Sequence, residues 1–163
     1  MIGAVAARRT SVGPTQCPGR LLRFPTAPVP RRFSPRVFDF DGPAVRGFPG
    51  SWPVTPDGTI VALPTPGHSP GHTSYLVRRN EGDVLIAGDV TYNLAALEAQ
   101  QDQGFIADVE LHHQTLPRVL ALVRSDVAYL PSHDPESPAR LNDSGRMAEA
   151  AAQRAVELQT DPR

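Results

Sequence analysis

The stretch Thr65–Val77, TPGHSPGHTSYLV, holds His68 and His72 four residues apart in a frame of glycine and proline. Four apart would stack both imidazoles on one face of a helix, but Pro66, Gly67, Pro70 and Gly71 argue against a helix. The rings must be aimed by a loop that runs straight into a strand, and such loops are where sites tend to be built. Two further motifs put a metal-capable side chain directly after a strand-like run: Asp89 in LIAGD and His133 in YLPSHD. Imidazole nitrogen and carboxylate oxygen are the usual ligands of a catalytic zinc, at about 2.0–2.2 Å. A carboxylate can also bridge two ions about 3.5–4 Å apart, an arrangement that activates water for hydrolysis. The glycines before His68 and Asp89 let the backbone come close to a bound ion. Each residue alone has a plain structural reading: a turn histidine, an aspartate in a turn, a His133-Asp134 pair capping a helix before Pro135. The specific signal is their order, each at the end of a strand.

The elements that must position them are legible in part. RVFDFDG alternates from Arg36 and reads as an edge strand, and Asp57-Gly58 as a turn into a strand from Thr59 to Leu63. HTSYLVRR reads as a β-branched and aromatic strand turning at Asn80-Glu81-Gly82. DVLIAGD is a short apolar run of the buried type. These three strands with tight turns suggest an antiparallel stretch of sheet. Leu116, Val119, Leu120 and Val123 recur at helical spacing, which predicts a helix over 115–124 capped by Thr115, with Pro117 in its first turn. VAYLPSHD reads as another buried strand, and an alanine-rich helix is expected from about Ser144 to Leu158. His112 and His113, near a helix start and on different faces, are expected to be solvated or core-edge residues.

Bulk properties narrow the function class. The chain has 163 residues, 40% hydrophobic, with a net charge of −1, which fits a globular protein and not a nucleic-acid binder. No apolar run approaches the roughly 20 residues of a membrane span. The lone Cys17 forms no internal disulfide, and a cytoplasmic location is expected. Residues 1–50 carry eight arginines against Asp39 and Asp41, while the remainder carries eight against fifteen acids. Ten of the eighteen prolines precede residue 57. Residues 1–27 show no periodicity and are expected to be a disordered Arg/Pro-rich leader, with the folded domain over 28–163.

Residues Pro28 to Leu141 resemble the C-terminal half of the metallo-β-lactamase fold, most closely its N-acyl homoserine lactonase branch. The resemblance rests on TPGHSPGHTSYLV, DVLIAGDVTY, TLPRVLALV and YLPSHDPES with the following RL. It implies an α/β fold, part of an αββα sandwich with a two-zinc site on one edge of its sheets. By resemblance, His68 completes the first ion's ligands, Asp89 is the bridging carboxylate and His133 the last ligand of the second ion. Tyr92 matches a tyrosine over the substrate carbonyl, where a phenol could stabilise an oxyanion or help the leaving alkoxide. His72 and Asp134 match supporting positions that fix the donors. The implied activity is hydrolysis of a small-molecule ester or lactone, and with it quorum quenching.

The sequence departs from this pattern in one large respect. The family draws four more ligands from an HxHxDH signature, and the first histidine here is His68. A catalytic zinc takes three protein ligands plus water, so the expectation is a truncated domain that binds zinc weakly and turns over poorly. A glyoxalase II-type thioesterase, which shares the donors, and a non-catalytic remnant or binding module are the alternatives.

Overall fold

A computed structural model describes residues 5–7 and 36–144. Within 1–27, expected to lack regular structure, Val5–Ala7 form β1; the rest of that segment and the expected helix over 144–158, apart from Ser144, lie outside the described residues. β1 pairs in parallel with β2 (Arg36–Phe38) as a two-stranded sheet. The main sheet has five strands in the order β3 (Trp52–Pro53), β4 (Ile60–Pro64), β5 (Thr73–Val77), β6 (Val84–Gly88) and β7 (Ala128–Pro131). The first three pairings are antiparallel, as the tight turns require, and β7 joins β6 in parallel. A parallel pair needs a long crossover, here the segment carrying α1 (Leu94–Glu98) and α2 (Val109–Val123).

Alternation along the strands sorts the two faces of the sheet. Val61, Leu76, Leu85 and Tyr129 stand in cross-strand register and share one buried cluster with Leu116, Val119, Leu120 and Leu122 of α2. The other face aligns Ala62, Tyr75, Ile86 and Leu130, and there Ile86 is 48% exposed.

The strands Ile60–Pro64, Thr73–Val77, Val84–Gly88 and Ala128–Pro131 lie where the sequence places them. The turn before β4 is built as its residues demand. Gly58 adopts φ +70° and the Asp57 carboxylate accepts from Thr59 N at 3.0 Å. Hydrogen bonds from the Thr55 hydroxyl and from Thr59 pull the Asp57 carboxyl down to about 2.

The helix expected over 115–124 is corrected. α2 begins at Val109, capped by Asp108, whose Oδ1 accepts from Leu111 N at 3.0 Å. Thr115 is a buried mid-helix residue whose hydroxyl donates to Pro66 O at 2.7 Å. Pro117 sits inside the helix on its exposed side. The first two turns were missed because His112, His113 and Gln114 break the apolar period.

Candidate active site at the strand ends

Three strand ends meet at one edge of the sheet. Asp89 follows β6, His133 follows β7, and His68 sits in the loop between β4 and β5. Ser132 N donates to Gly88 O at 2.9 Å, tying the two neighbouring strand ends together. The register shifts between Ile86 and Gly88, and Gly88 turns with φ +62°. A Cβ there would stand 2.8 Å from His72 Nε2, so both the backbone angle and the close approach demand glycine.

The geometry brings His68, Asp89 and His133 together. His68 Nε2 lies 3.5 Å from Asp89 Oδ2, and His133 Nε2 lies 3.3 Å from Asp89 Oδ1. One carboxylate thus stands between two imidazoles, each facing a different oxygen. Their side chains are 32%, 35% and 59% exposed for His68, Asp89 and His133.

Tyr92 stands on the rim, 44% exposed, its ring edge-on to His133 with centroids 5.3 Å apart. Its backbone N–H donates to Gln103 Oε1 at 3.1 Å. Gly104, at φ +70°, makes room for the phenol, because a Cβ there would meet the Tyr92 hydroxyl at 2.2 Å. Phe105 turns edge-on to the His68 ring at 6.1 Å.

His72 is bonded at both ring nitrogens. Its Nδ1 donates to Thr65 O at 3.0 Å, and its Nε2 accepts from Asp89 N at 3.0 Å. Those two bonds call for the neutral ring, and burial, the largest influence, pushes its pKa below 6.5. The same imidazole fixes the β4 end and the backbone of Asp89.

Asp134 does comparable work beside His133. Its carboxylate accepts from Leu94 N at 3.3 Å, from Glu136 N at 2.9 Å and from the Arg140 guanidinium. Burial alone would raise its pKa, but these hydrogen bonds and the guanidinium charge hold it below the usual carboxylate value. Arg140, which sequence reasoning gave no role, also donates through Nε to Tyr129 O at 3.0 Å. Its signal was the RL that closes the last motif, six residues after Asp134.

His112 and His113 part to different faces as expected, but His112 lies in the core rather than at its edge. His112 is buried at 1% exposure and packs against Gly67, while the His113 side chain is 53% exposed and meets Asp102 at 3.0 Å. The loop before α2, absent from the sequence reading, is strapped to the His68 turn by Ala107 N and Asp108 N, each donating to Gly67 O at 3.0 Å.

The donor types suit a borderline divalent ion, but the set does not fit a closed site. Among the described residues no group of three or more His, Cys, Asp or Glu side chains could hold a metal ion. The reason is geometric: the histidines flank opposite oxygens of Asp89, so each side offers one imidazole and a shared carboxylate, short of three protein ligands.

No protein-family model matches the chain. Among curated proteins it is 30% identical over 142 residues to the N-acyl homoserine lactonase AttM of Azorhizobium caulinodans, covering 73% of this chain and 54% of that one. It is 32% identical over 83 residues to AttM of Agrobacterium fabrum, covering 50% of this chain and 32% of that one. The chain thus spans about half the length of the first and a third of the second. Among solved structures, an N-acyl homoserine lactone hydrolase with N-hexanoyl-L-homoserine at its catalytic metal centre superimposes with a TM-score of 0.52 at 24% identity, over 67% of this chain and 39% of that one. A Bacillus thuringiensis AiiA variant with N-decanoyl-L-homoserine bound gives the same values. The chain is therefore similar to the N-acyl homoserine lactonases in sequence, and its fold is a partial metallo-β-lactamase α/β arrangement. Among the described residues no helix is long and apolar enough to cross a membrane.

Proposed function

We propose that this relative of the N-acyl homoserine lactonases carries one side of a lactone-hydrolase centre. His68, Asp89 and His133 serve as its metal donors, Tyr92 faces the substrate, and His72 and Asp134 hold the donors in place. The observation that supports this most is the Asp89 carboxylate with a histidine Nε2 at 3.5 and 3.3 Å from its two oxygens. A carboxylate so placed suits a bridging role, and imidazole with carboxylate suits zinc.

Each protein group has a task that follows from its chemistry. The exposed Tyr92 hydroxyl can donate to a carbonyl oxygen as negative charge builds there, or to the departing ring oxygen. His72 sets the Asp89 backbone, and the Asp134–Arg140 pair sets the turn that carries His133. The substrate class is a small uncharged lactone or ester, and lactone opening of this kind would be quorum quenching.

His68, Asp89 and His133 are three of the seven ligands of the family pattern, and among the described residues no others join them, so activity would require further ligands. That incompleteness favours a second reading, in which the chain alone is a non-catalytic module. A glyoxalase II-type thioesterase would use the same donors; Tyr92 on the rim favours the lactonase.

Joining the chain behind a related segment that carries HxHxDH tests the reading. Lactone hydrolysis should appear in the hybrid and vanish with His133→Ala. A folded, zinc-loaded hybrid that leaves lactones intact, or cleaves only thioesters, would overturn it.

A further inference from the structure

The loop between α1 and α2, residues 99–108, runs past both the Tyr92 phenol and the His68 ring. Gln103 Oε1 accepts from Tyr92 N at 3.1 Å, Gly104 leaves no room for a Cβ beside the Tyr92 hydroxyl, and the Phe105 ring stands edge-on to His68 at 6.1 Å. Consecutive residues of one loop thus meet two side chains of the candidate centre. The positions of those side chains depend on what holds the loop.

Its ends are tied through the backbone. Gln101 N donates to Ala96 O at 2.9 Å, and Ala107 N and Asp108 N each donate to Gly67 O at 3.0 Å. Between these ties the Asp102 carboxylate reaches the start of α2. His113 Nε2 lies 3.0 Å from both Asp102 oxygens, and His112 Nε2 lies 3.7 Å from Oδ1. His112 Nε2 is buried and has no hydrogen-bond partner among the described residues, so Asp102 is the acceptor it faces. A buried polar nitrogen left unpaired is costly, which draws the carboxylate toward it. An exposed carboxylate–imidazole pair alone would hold little. Here one carboxylate gathers two neighbouring rings, and one of them is buried in the core.

We propose that Asp102 is a positioning residue: by fastening the loop to His112 and His113, it sets Gln103 against Tyr92 and Phe105 against His68. Asp102 does this without touching a substrate itself. For its bearing on catalysis the inference rests on the lactonase reading above, in which Tyr92 and His68 belong to the centre.

The test uses the 163-residue chain without metal, with amide hydrogen exchange and ring-proton resonances followed by NMR. In Asp102→Ala the Tyr92 amide should exchange roughly tenfold faster while the amides of β6 keep their rates. The ring protons of Tyr92 and His68 should shift in the same variant. A general loss of stability would instead speed exchange at Tyr92 and in β6 alike. Asp102→Asn keeps an acceptor oxygen for His113 and should restore most of the protection. His113→Ala should loosen Tyr92 as well, and combining it with Asp102→Ala should give less than the sum of the two effects. A Tyr92 rate changed by less than about twofold, acceleration shared equally by β6, or an Asn variant as loose as the Ala variant would overturn the inference. A hybrid without lactone turnover removes the lactonase reading and leaves the exchange result standing, whereas unmoved exchange at Tyr92 removes this inference alone.

Discussion

His68 and His133 meet Asp89 across 3.5 and 3.3 Å and stay 32% and 59% exposed, whereas His72, one turn away from His68, is bonded at both ring nitrogens. The same contrast repeats beside β7, where Asp134 is 3% exposed in its side chain and accepts from two backbone amides and a guanidinium. The supporting residues are committed to partners inside this chain. The two imidazoles meet the Asp89 carboxylate, and all three side chains remain partly exposed. On the proposed reading, such a held frame around open side chains suits a site that takes up further ligands and a substrate.

The contrast can be broken by substitution. Asp134→Ala should have the largest effect on stability, about 2–4 kcal/mol by urea unfolding, because two backbone amides and the mostly buried Arg140 guanidinium lose their acceptor while Arg140 keeps Glu136 and the Tyr129 carbonyl. A loss under about 1 kcal/mol would mean the pair is not part of the frame. His72→Ala removes two hydrogen bonds and leaves Thr65 O and Asp89 N to find others, a cost of about 1–3 kcal/mol. In a zinc-loaded hybrid the same change should lower metal affinity about 10–100-fold; unchanged affinity would make His72 a packing residue only.

A milder probe is pH. Burial holds both His72 and His112 below their ordinary 6.5. The unfolded chain therefore takes up protons near pH 6.5 that the folded chain still refuses. The stability from these neutral rings is present above that value and is lost as pH falls from it toward the folded values. Asp134 is held below 3.8 and titrates outside this window. The urea midpoint should thus drop between pH 7.5 and 5.5, and a flat profile would contradict the burial of these rings.

The smallest effects should fall on the donors themselves. Asp89→Ala, His68→Ala and His133→Ala should each change stability by no more than about 0.5 kcal/mol, since none is buried or locked into the core. A loss of about 2 kcal/mol at Asp89 would show that it holds the fold rather than waiting for a ligand.

Much of this division was written in the sequence. The apolar runs and turn residues fixed four strands of the main sheet to within a residue or so, because period two and Asp57-Gly58 are local signals. The strand-end placement of His68, Asp89 and His133 was legible for the same reason. What escaped depends on contacts between distant segments. α1 is five residues long and too short for a period to show. The start of α2 was hidden because a buried histidine, His112, occupies an apolar position of its core face. Arg140, Gln103 and Gly104 matter only once the chain has folded beside Asp134 and Tyr92. No spacing rule announces such partners. The expectation that His72 supports rather than ligates came from the family resemblance; its bonds to Thr65 and Asp89 depend on the fold and no spacing announces them.

The measurement that bears most directly on an intact frame with an open donor set is zinc titration of the 163-residue chain, followed by lactone hydrolysis in the presence of excess zinc. Zinc should bind weakly and lactone should be lost no faster than without protein, because two imidazoles on opposite oxygens of one carboxylate leave each ion short of its ligands. Tight binding of two ions, with turnover that chelation abolishes, would contradict this and show that other residues of the chain complete the centre.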